Sequence, residues 1–262
     1  MGKPLAAFIG ALLGACAAMQ PAPLSPERVA TIVASPDRSP TDRTNDERRK
    51  PAEMLAFIGM REGMVALDVS AAGGYTTELI ARAAGPTGRV YGQTPRPDPR
   101  QRLAERAKTV KNIVAVVRPF EDPAPPEVAS NALDLVTLMF NYHDFGHLGV
   151  DRAKLNRAIY AALKPGGLYV IADHAGRAGT GISESGTLHR VEEALVRQEV
   201  EAAGFRLVGE GTFLRNPSDP RDRETPEPPN PRTSSSSSLR SPEKQRGQAR
   251  GPDPVVCCTR LA

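Results

Sequence analysis

Apolar and polar residues alternate along the central part of the chain in a rhythm that favours short strands followed by helices. Six compact apolar runs predict strands buried in a sheet: 64–69, 89–92, 113–117, 133–140, 168–172 and 205–214. Apolar residues at helical spacing predict the helices between and around them: 46–60, 74–84, 98–110, 151–163 and 187–203. Strands that alternate with helices in this way form right-handed crossovers. The pattern therefore predicts an α/β three-layer sandwich around a mainly parallel sheet.

Residues 1–19 have the features of an export signal. Lys3 precedes the apolar run 5–13, which is too short to remain as a membrane span. The following Leu13-Gly14-Ala15-Cys16 resembles the lipobox of bacterial lipoproteins, in which the cysteine becomes the lipidated first residue. An ordinary secretory signal cleaved at 15–18 is the alternative. We therefore expect a periplasmic protein, free or anchored to the membrane through lipidated Cys16, and a cytoplasmic one only if the signal is not used.

Composition divides the rest of the chain into three parts. Residues 20–45 are rich in Pro, Ser, Thr and Asp and are predicted to be a linker, whereas 46–222 carries the strand and helix pattern. The tail 223–262 contains many prolines, five consecutive serines and a basic run, and only 255–261 is apolar enough for a strand. It is either a disordered extension or a sequence whose reading frame diverges near Asp222.

Charge and cysteine usage exclude several kinds of function. The net charge of +4 comes mostly from the end of the chain, where nine Lys/Arg stand against six Asp/Glu from Arg215 onward. The nearly neutral remainder gives no basis for nucleic-acid binding. All three cysteines lie outside 46–222, and the four histidines do not have the spacing of metal ligands, so neither a disulfide framework nor a metal site is predicted. Among the histidines, His147 and His189 are expected to be structural.

The first predicted strand ends in a sequence that favours ligand binding. Asp68 stands at the strand end, and Gly73 and Gly74 open the following helix. Small residues let the backbone approach a ligand, the helix N-terminus offers free N–H groups, and an acid suits a cationic ligand. A nicotinamide dinucleotide fold would carry G-x-G-x-x-G here, and its absence disfavours an oxidoreductase.

These residues resemble motif I of class I S-adenosylmethionine-dependent methyltransferases, which is written D/E-x-G-x-G-x-G. Asp68 and Gly74 match the motif, while Ser70 and Ala72 stand where glycines are usual. The sequence LKPGG at 163–167, before the fifth strand, is also frequent in that superfamily.

Three further stretches narrow the resemblance to a family of bacterial predicted methyltransferases, many of which have signal sequences. They are 73–78, Leu188-His189-Arg190 and Asn141-Tyr142-His143-Asp144, and the resemblance covers roughly residues 48–222. It implies a Rossmann-like fold, S-adenosylmethionine as cofactor and a small-molecule acceptor. That fold expects a seventh strand, antiparallel and between the fifth and sixth. Since only 255–261 could supply it, the strand is predicted to be missing or replaced.

Roles for individual side chains follow from their positions at the strand ends. Cofactor binding is expected from the first loop, from Gln93 as a ribose ligand after the second strand, and from an adenine-side loop, that is from Asp68, Ser70, Gly73, Gly74, Tyr75, Gln93, Phe120 and Glu121. His143 is the expected general base, with Asp144 either orienting it or binding the substrate. The acceptor is expected to contact Asn141, Tyr142 and His174.

Two other functions remain open at this point. Ser70, Ala72 and Gln93 depart from the usual cofactor site, and S-adenosylmethionine is made in the cytoplasm whereas the signal directs the chain outside it. A non-catalytic ligand-binding or interaction protein on the same fold is therefore the alternative to a methyltransferase, and a nicotinamide-dependent oxidoreductase is a third and less favoured function.

Overall fold

The computed structural model describes residues 21–225 and the backbone of 254–261. The predicted signal peptide, including Cys16, lies outside the described residues. In chain order the elements are α1 (Pro26–Val33), α2 (Pro40–Arg49), α3 (Pro51–Ile58), β1 (Val65–Val69), α4 (Tyr75–Ala84), β2 (Arg89–Thr94), α5 (Arg102–Thr109), β3 (Ile113–Val117), β4 (Leu133–Met139), α6 (Arg152–Ala162), β5 (Leu163–His174), α7 (Glu193–Ala202), β6 (Phe205–Gly211) and β7 (Pro254–Leu261).

The strands form one sheet in the order β3-β2-β1-β4-β5-β7-β6. Strands β1 to β5 pair in parallel, and β1 pairs with both β2 and β4. The chain therefore leaves β1 towards one edge of the sheet and returns to place β4 on its other side. Such a switch in strand order opens a crevice at the carboxyl ends of the strands. The predicted Rossmann-like α/β sandwich is confirmed.

The seventh strand, predicted to be missing or replaced, is present and is formed by the tail segment 254–261. β7 lies between β5 and β6 and pairs with both in an antiparallel sense, with Ile171 opposite Cys257 and Phe205 opposite Leu261. It is formed by the one tail segment whose apolar, β-branched sequence suits a strand. At least this part of the tail therefore belongs to the fold.

Two apolar layers cover the sheet, one on each face. One layer buries residues of α1, α3 and α4 against the sheet, including Leu55, Leu79 and Ile80. The other buries residues of α6 and α7, including Leu155 and Val200. Burial of the sheet on both faces explains why its strands read as continuous apolar runs instead of alternating ones.

The segment predicted to be a linker, 20–45, is folded instead. Ser25 and Ser39 cap α1 and α2, each followed by a proline at the first helical position. A Ser-Pro pair can begin a helix as well as mark a turn. Composition alone therefore led to the wrong prediction of a linker for this segment. Val29 and Ile32 are buried in the core, and Arg38, only 3% exposed, donates two hydrogen bonds to Asp46. The folded domain therefore begins some twenty residues before the predicted boundary at 46.

Several predicted elements have different bounds in the structure. The single helix expected over 46–60 is two helices, because Lys50 adopts a left-handed conformation (φ 46°) before Pro51, whose ring cannot continue α2. The helix expected from 187 begins only at Glu193. Among the described helices, none has the length and apolar character needed to cross a membrane.

Candidate functional site at the carboxyl ends of β1 and β4

A cavity of about 1230 Å³ opens at the switch in strand order. It is lined by the loop after β1, the end of β4 and residues of α2, α4 and α5. Five residues predicted to bind ligands line it: Asp68, Ser70, Gly73, Tyr75 and Asn141. The residues that the sequence singles out in the loop after β1 therefore lie at the crevice.

Asp68 is buried at the end of β1. Its two carboxylate oxygens accept hydrogen bonds from the hydroxyls of Thr77 (2.6 Å) and Thr137 (2.7 Å). Burial raises the pKa of Asp68 to about 6, although these hydrogen bonds and the charge of Arg49 act to lower it. Because α4 and β4 each supply one hydroxyl, the carboxylate is held rigidly beside the cavity.

The loop after β1 has the backbone of a glycine loop at positions that are not glycine. Ser70 and Ala72 have φ values of 58° and 47°, in the left-handed region that favours glycine, as does Gly74 at 82°. A Cβ on Gly74 would lie 2.7 Å from a methyl carbon of Leu103, so a side chain here would force Leu103 to shift. The departures of Ser70 and Ala72 from motif I therefore leave the loop conformation intact.

Gln93 does not reach the cavity, contrary to its predicted role as a ribose ligand. Its side chain is fully buried; its amide oxygen accepts from the Ser70 N–H (2.9 Å) and its amide nitrogen donates to the Arg118 carbonyl (2.6 Å). Both ends of the amide are therefore used to hold the loop after β1 against the segment after β3. A neutral amide can satisfy this donor and acceptor together, which a carboxylate cannot do.

The predicted adenine-side residues also lie away from the cavity. Phe120 is buried and packs against Phe145, with ring centroids 4.6 Å apart. The Glu121 carboxylate accepts from the backbone N–H of Asp151 at 3.3 Å, just before α6. These two residues therefore support the fold on the far side of the sheet.

The arginines that α2 brings to the cavity were not predicted from the sequence. The guanidinium carbon of Arg49 lies 4.7 Å from the ring centroid of Phe140 and 5.1 Å from that of Tyr75, and its Nε is buried without a hydrogen-bond partner. Burial and the neighbouring Arg48 lower the pKa of Arg49 to about 10, so it stays charged at neutral pH. Within residues 21–225, neither Arg48 nor Arg49 forms an ion pair. The one feature of the sequence that could have indicated a role for Arg48 and Arg49 is their position as an adjacent pair at the end of a polar helix.

Asn141 is the one predicted acceptor-binding residue that lines the cavity. Its amide oxygen accepts a short hydrogen bond from the Ser70 hydroxyl, and its amide nitrogen donates to Asp144 at 2.6 Å. Asn141 therefore joins the loop after β1 to the residues behind the end of β4.

Tyr142 and His174 do not face the cavity, so their predicted contact with the acceptor is not supported. Tyr142 is fully buried and its hydroxyl donates to Glu199 at 2.6 Å, which ties the end of β4 to α7. His174 is 4% exposed and packs between Phe140 and His143. Burial lowers the pKa of His174 well below its ordinary value, so its imidazole is neutral.

His143 and Asp144 do not line the cavity; they lie on the side of Asn141 that faces away from it. The His143 imidazole is 4% exposed; its Nδ1 is 2.5 Å from Asp173 and its Nε2 is 3.1 Å from Asp144. Burial acts to lower the pKa of His143, but the charge of Asp173 and the hydrogen bonds to both carboxylates outweigh it and raise the pKa to about 10. A protonated imidazole with both nitrogens engaged cannot accept a proton, so the predicted general-base role is not supported.

The two remaining histidines lie in the same place. The ring of His189 is 5.6 Å from that of His143 and 5.7 Å from that of His147, centroid to centroid. All four histidines of the chain therefore form one cluster at the carboxyl ends of β4 and β5, although their spacing in the sequence did not suggest it.

Comparison with known proteins supports a methyltransferase domain. Residues 67–171, which run from β1 into β5, match the family model described as "Methyltransferase domain". The match supports the resemblance to class I S-adenosylmethionine-dependent methyltransferases, and it includes the loop after β1 and the end of β4. None of the curated proteins matches the sequence.

Solved structures share the fold. A SAM-dependent methyltransferase from Aquifex aeolicus is 21% identical with a TM-score of 0.53, covering 71% of this chain and 92% of that one. A TehB-like SAM-dependent methyltransferase from Corynebacterium glutamicum is 14% identical with a TM-score of 0.50, over 85% of this chain and 98% of that one. A phosphoethanolamine N-methyltransferase from Haemonchus contortus, in complex with S-adenosylhomocysteine, is 20% identical with a TM-score of 0.50, over 63% and 38%. Together with the family match, this fold supports S-adenosylmethionine as the cofactor.

Proposed function

We propose that the protein is an S-adenosylmethionine-dependent methyltransferase that acts on a small-molecule acceptor. The observation that carries the proposal is the pair of opposite charges that line the cavity, the Asp68 carboxylate and the Arg49 guanidinium. The methionyl end of the cofactor carries an ammonium and a carboxylate side by side. A cavity lined by one charge of each sign complements that zwitterion.

Arg49 is suited to bind the cofactor carboxylate. Its charge rests on two aromatic rings instead of a carboxylate partner, and one of its N–H groups is buried without an acceptor. A buried donor without an acceptor is costly, so an anionic ligand group at this place would be favoured. Arg48, next to it, adds positive charge to the lining of the cavity.

The cavity has room for a second ligand. At about 1230 Å³ it exceeds the volume of roughly 300–1,000 Å³ that a single small ligand usually needs. Asn141 lies at its edge with the amide fixed by Ser70 and Asp144, which makes it the residue best placed to orient an acceptor. Bound S-adenosylmethionine supplies an electrophilic methyl group on sulfur. The chain's own contribution is then to align the acceptor and exclude water. No side chain with the properties of a base is required if the acceptor is an unprotonated amine or a carboxylate.

Calorimetric titration of the purified full chain with S-adenosylmethionine tests the proposal. We expect one cofactor per chain, and we expect Arg49→Met to weaken binding about 10- to 100-fold, because a hydrogen bond to a charged group is lost. Arg157→Met is the matched control, since Arg157 is exposed on α6, on the opposite face of the sheet, and its loss should leave the affinity unchanged.

Other outcomes would assign the alternative functions. Binding of S-adenosylmethionine with no methyl transfer to any of a panel of small amines, carboxylates and hydroxyl compounds would favour a ligand-binding protein. Binding of NAD in preference to S-adenosylmethionine would favour an oxidoreductase. No binding of S-adenosylmethionine at millimolar concentration would overturn the proposal. Export, and anchoring through Cys16, remain predictions.

A further inference from the structure

We propose that His143, Asp144 and His189 form a binding site for a first-row transition-metal dication of the zinc type. Among the described residues, these three offer ligand atoms that all lie within 4.8 Å of one another. Two imidazole nitrogens and one carboxylate oxygen are the donors that such ions take in sites with open coordination positions.

The geometry needs only small movements to hold an ion. One oxygen of Asp144, Oδ1, is 3.1 Å from Nε2 of His143 and 2.8 Å from Nδ1 of His189. Tetrahedral zinc, with bonds of about 2.0–2.1 Å, holds its ligands about 3.3 Å apart. Two of the three donor pairs are therefore already near the required separation, and all three donors lie within 4.8 Å of one another.

His143 is oriented as metal-binding histidines usually are. Asp173, at the end of β5, lies 2.5 Å from the Nδ1 of His143 and also accepts from its backbone N–H at 2.7 Å. A carboxylate on the second ring nitrogen fixes the ring and turns the other nitrogen towards the ion. Nε2 of His143 therefore points at Asp144 because of a contact that lies outside the proposed ligand set. A bound ion takes the place of the proton that Nε2 carries in the metal-free protein, so binding releases a proton.

His189 reaches the cluster through an unfavourable backbone conformation. Its φ is 53°, in the left-handed region that side chains rarely adopt. Two contacts hold it there: the Thr225 hydroxyl donates to the His189 carbonyl at 2.9 Å, and the adjacent Arg190, 1% exposed, pairs with Asp219 at 2.8 Å. Backbone strain that neighbouring contacts maintain is characteristic of functional positions. This places a function on the Leu188-His189-Arg190 stretch, which the cavity does not use.

The site is open to solvent on one side. The side chains of Asp144 and His189 are 22% and 28% exposed, whereas that of His143 is 5% exposed. His147 lies on the open side, with its Nδ1 3.9 Å from Asp144 and 3.0 Å from the Ser185 hydroxyl. An ion can thus enter past His147 and keep a coordination position for water or a further ligand.

The donor set favours zinc-type ions over magnesium. Magnesium prefers six oxygen ligands, whereas imidazole nitrogen suits zinc, iron, cobalt and nickel. An ion here would also act on the cavity, because the second oxygen of Asp144 accepts from Asn141. Holding Asp144 would thereby hold Asn141 at the cavity edge.

Titration of the chelator-treated full chain with ZnCl2 in a calorimeter tests the site, and it requires neither cofactor nor activity. We expect one zinc per chain, no heat from MgCl2 at the same concentration, and a visible absorption spectrum of Co2+ typical of nitrogen and oxygen ligands. His189→Ala should weaken zinc binding at least 100-fold. Asp173 only orients the ligand His143, so Asp173→Asn should weaken zinc binding about 10- to 100-fold.

His174→Gln is the matched control, because it removes a neighbouring imidazole that is not a proposed ligand, and it should leave the affinity within about threefold. Asp144→Asn, which keeps the side-chain shape, replaces His189→Ala if circular dichroism shows that the latter does not fold. Zinc binding that survives the loss of these ligands, or a Co2+ spectrum with the near-ultraviolet band of thiolate ligation, would assign the metal to the cysteines and overturn the proposal. So would the absence of any zinc binding.

Discussion

At the scale of single residues, the loop after β1 combines a glycine-type backbone with side chains that are not glycine. Ser70 uses its side chain, since its hydroxyl donates to Asn141. Ala72 has no such contact to offset its left-handed φ of 47°. An L-residue in this region costs about 1–2 kcal/mol. The backbone conformation of Ala72 therefore destabilises the folded protein.

We predict that Ala72→Gly raises the free energy of unfolding by about 0.5–1 kcal/mol. Relief of the backbone strain should outweigh the greater freedom that glycine has in the unfolded chain. Urea unfolding of the two proteins measures the difference. Ala71→Gly, one residue earlier and without a positive φ, is the control and should instead lower stability. Equal effects of the two substitutions would contradict the strain argument.

The buried carboxyl of Asp68 predicts a pH dependence of stability. Its pKa of about 6 in the folded protein exceeds the value of about 3.9 in an unfolded chain, so folding favours the protonated form. Its contribution to stability is therefore fully present below about pH 4 and is lost as the pH rises through 6, a change on the order of 2–3 kcal/mol.

Asp68→Asn removes this titration and keeps the shape of the side chain. Between pH 4 and pH 8, we expect the stability of the variant to rise by that amount relative to the original protein in urea unfolding. A difference that stays constant with pH would mean that Asp68 titrates as it does in the unfolded chain.

Residue chemistry explains which site residues could be predicted from the sequence. Asp68 and Asn141 stand directly at strand ends, where position follows from the fold, and both line the cavity. Gln93, Tyr142 and His143 also stand at strand ends, but their side chains turn into internal partners that lie far away in the sequence: Arg118, Glu199 and Asp173. Such partners are set by packing between elements, which a single sequence does not record.

At the scale of elements, α2 is the part of the structure that was least predictable from the sequence. It is strongly polar and brings Arg48 and Arg49 to the cavity. Two of its carboxylates attach it to the domain: Asp42 pairs with Arg106 of α5, and Asp46 binds residues on either side of α2. Asp46 accepts two hydrogen bonds from Arg38 at 2.8 Å and one from the Tyr75 hydroxyl at 2.7 Å. A helix without an apolar stripe can thus be held in place by buried polar contacts.

We predict that Asp46→Asn destabilises the protein by about 1–3 kcal/mol, because Arg38 keeps its charge in a buried place without its partner. Cofactor affinity should fall as well, since α2 carries Arg49. Thermal unfolding and the calorimetric titration measure the two effects. Glu47→Gln, at the next and exposed position of α2, should change stability by less than about 0.5 kcal/mol. A similarly small effect of Asp46→Asn would show that α2 is held by other contacts.

At the scale of the whole molecule, the sheet was predictable because its strands are buried on both faces and therefore read as plain apolar runs. Its order depends on long-range pairing, which the sequence does not record. The resemblance gave the place of β7 and only 255–261 could supply it, but β7 comes after a long stretch of prolines and serines, so the sequence around it did not indicate that the strand forms.

We predict that a chain ending at residue 253 has a melting temperature at least 10 °C lower than the full chain. Among the described strands, β6 pairs with β7 alone, so the truncation leaves β6 without a neighbour and exposes an edge of β5. Deleting only the serine run 234–238 is the control, and it should leave the melting temperature unchanged. An equal melting temperature for the chain ending at 253 would show that β7 contributes nothing to the sheet.

The place of β7 also determines when the sheet can be completed during synthesis. β6 ends at Gly211 and β7 begins only at Pro254, yet β7 lies between β5 and β6. During translation, β5 and β6 therefore emerge from the ribosome before β7, the strand that pairs with both of them. Until β7 emerges, the edges of β5 and β6 that it will cover are open. Open strand edges pair readily with other chains, so this interval of translation is where a growing chain is most exposed to aggregation and has most use for a chaperone.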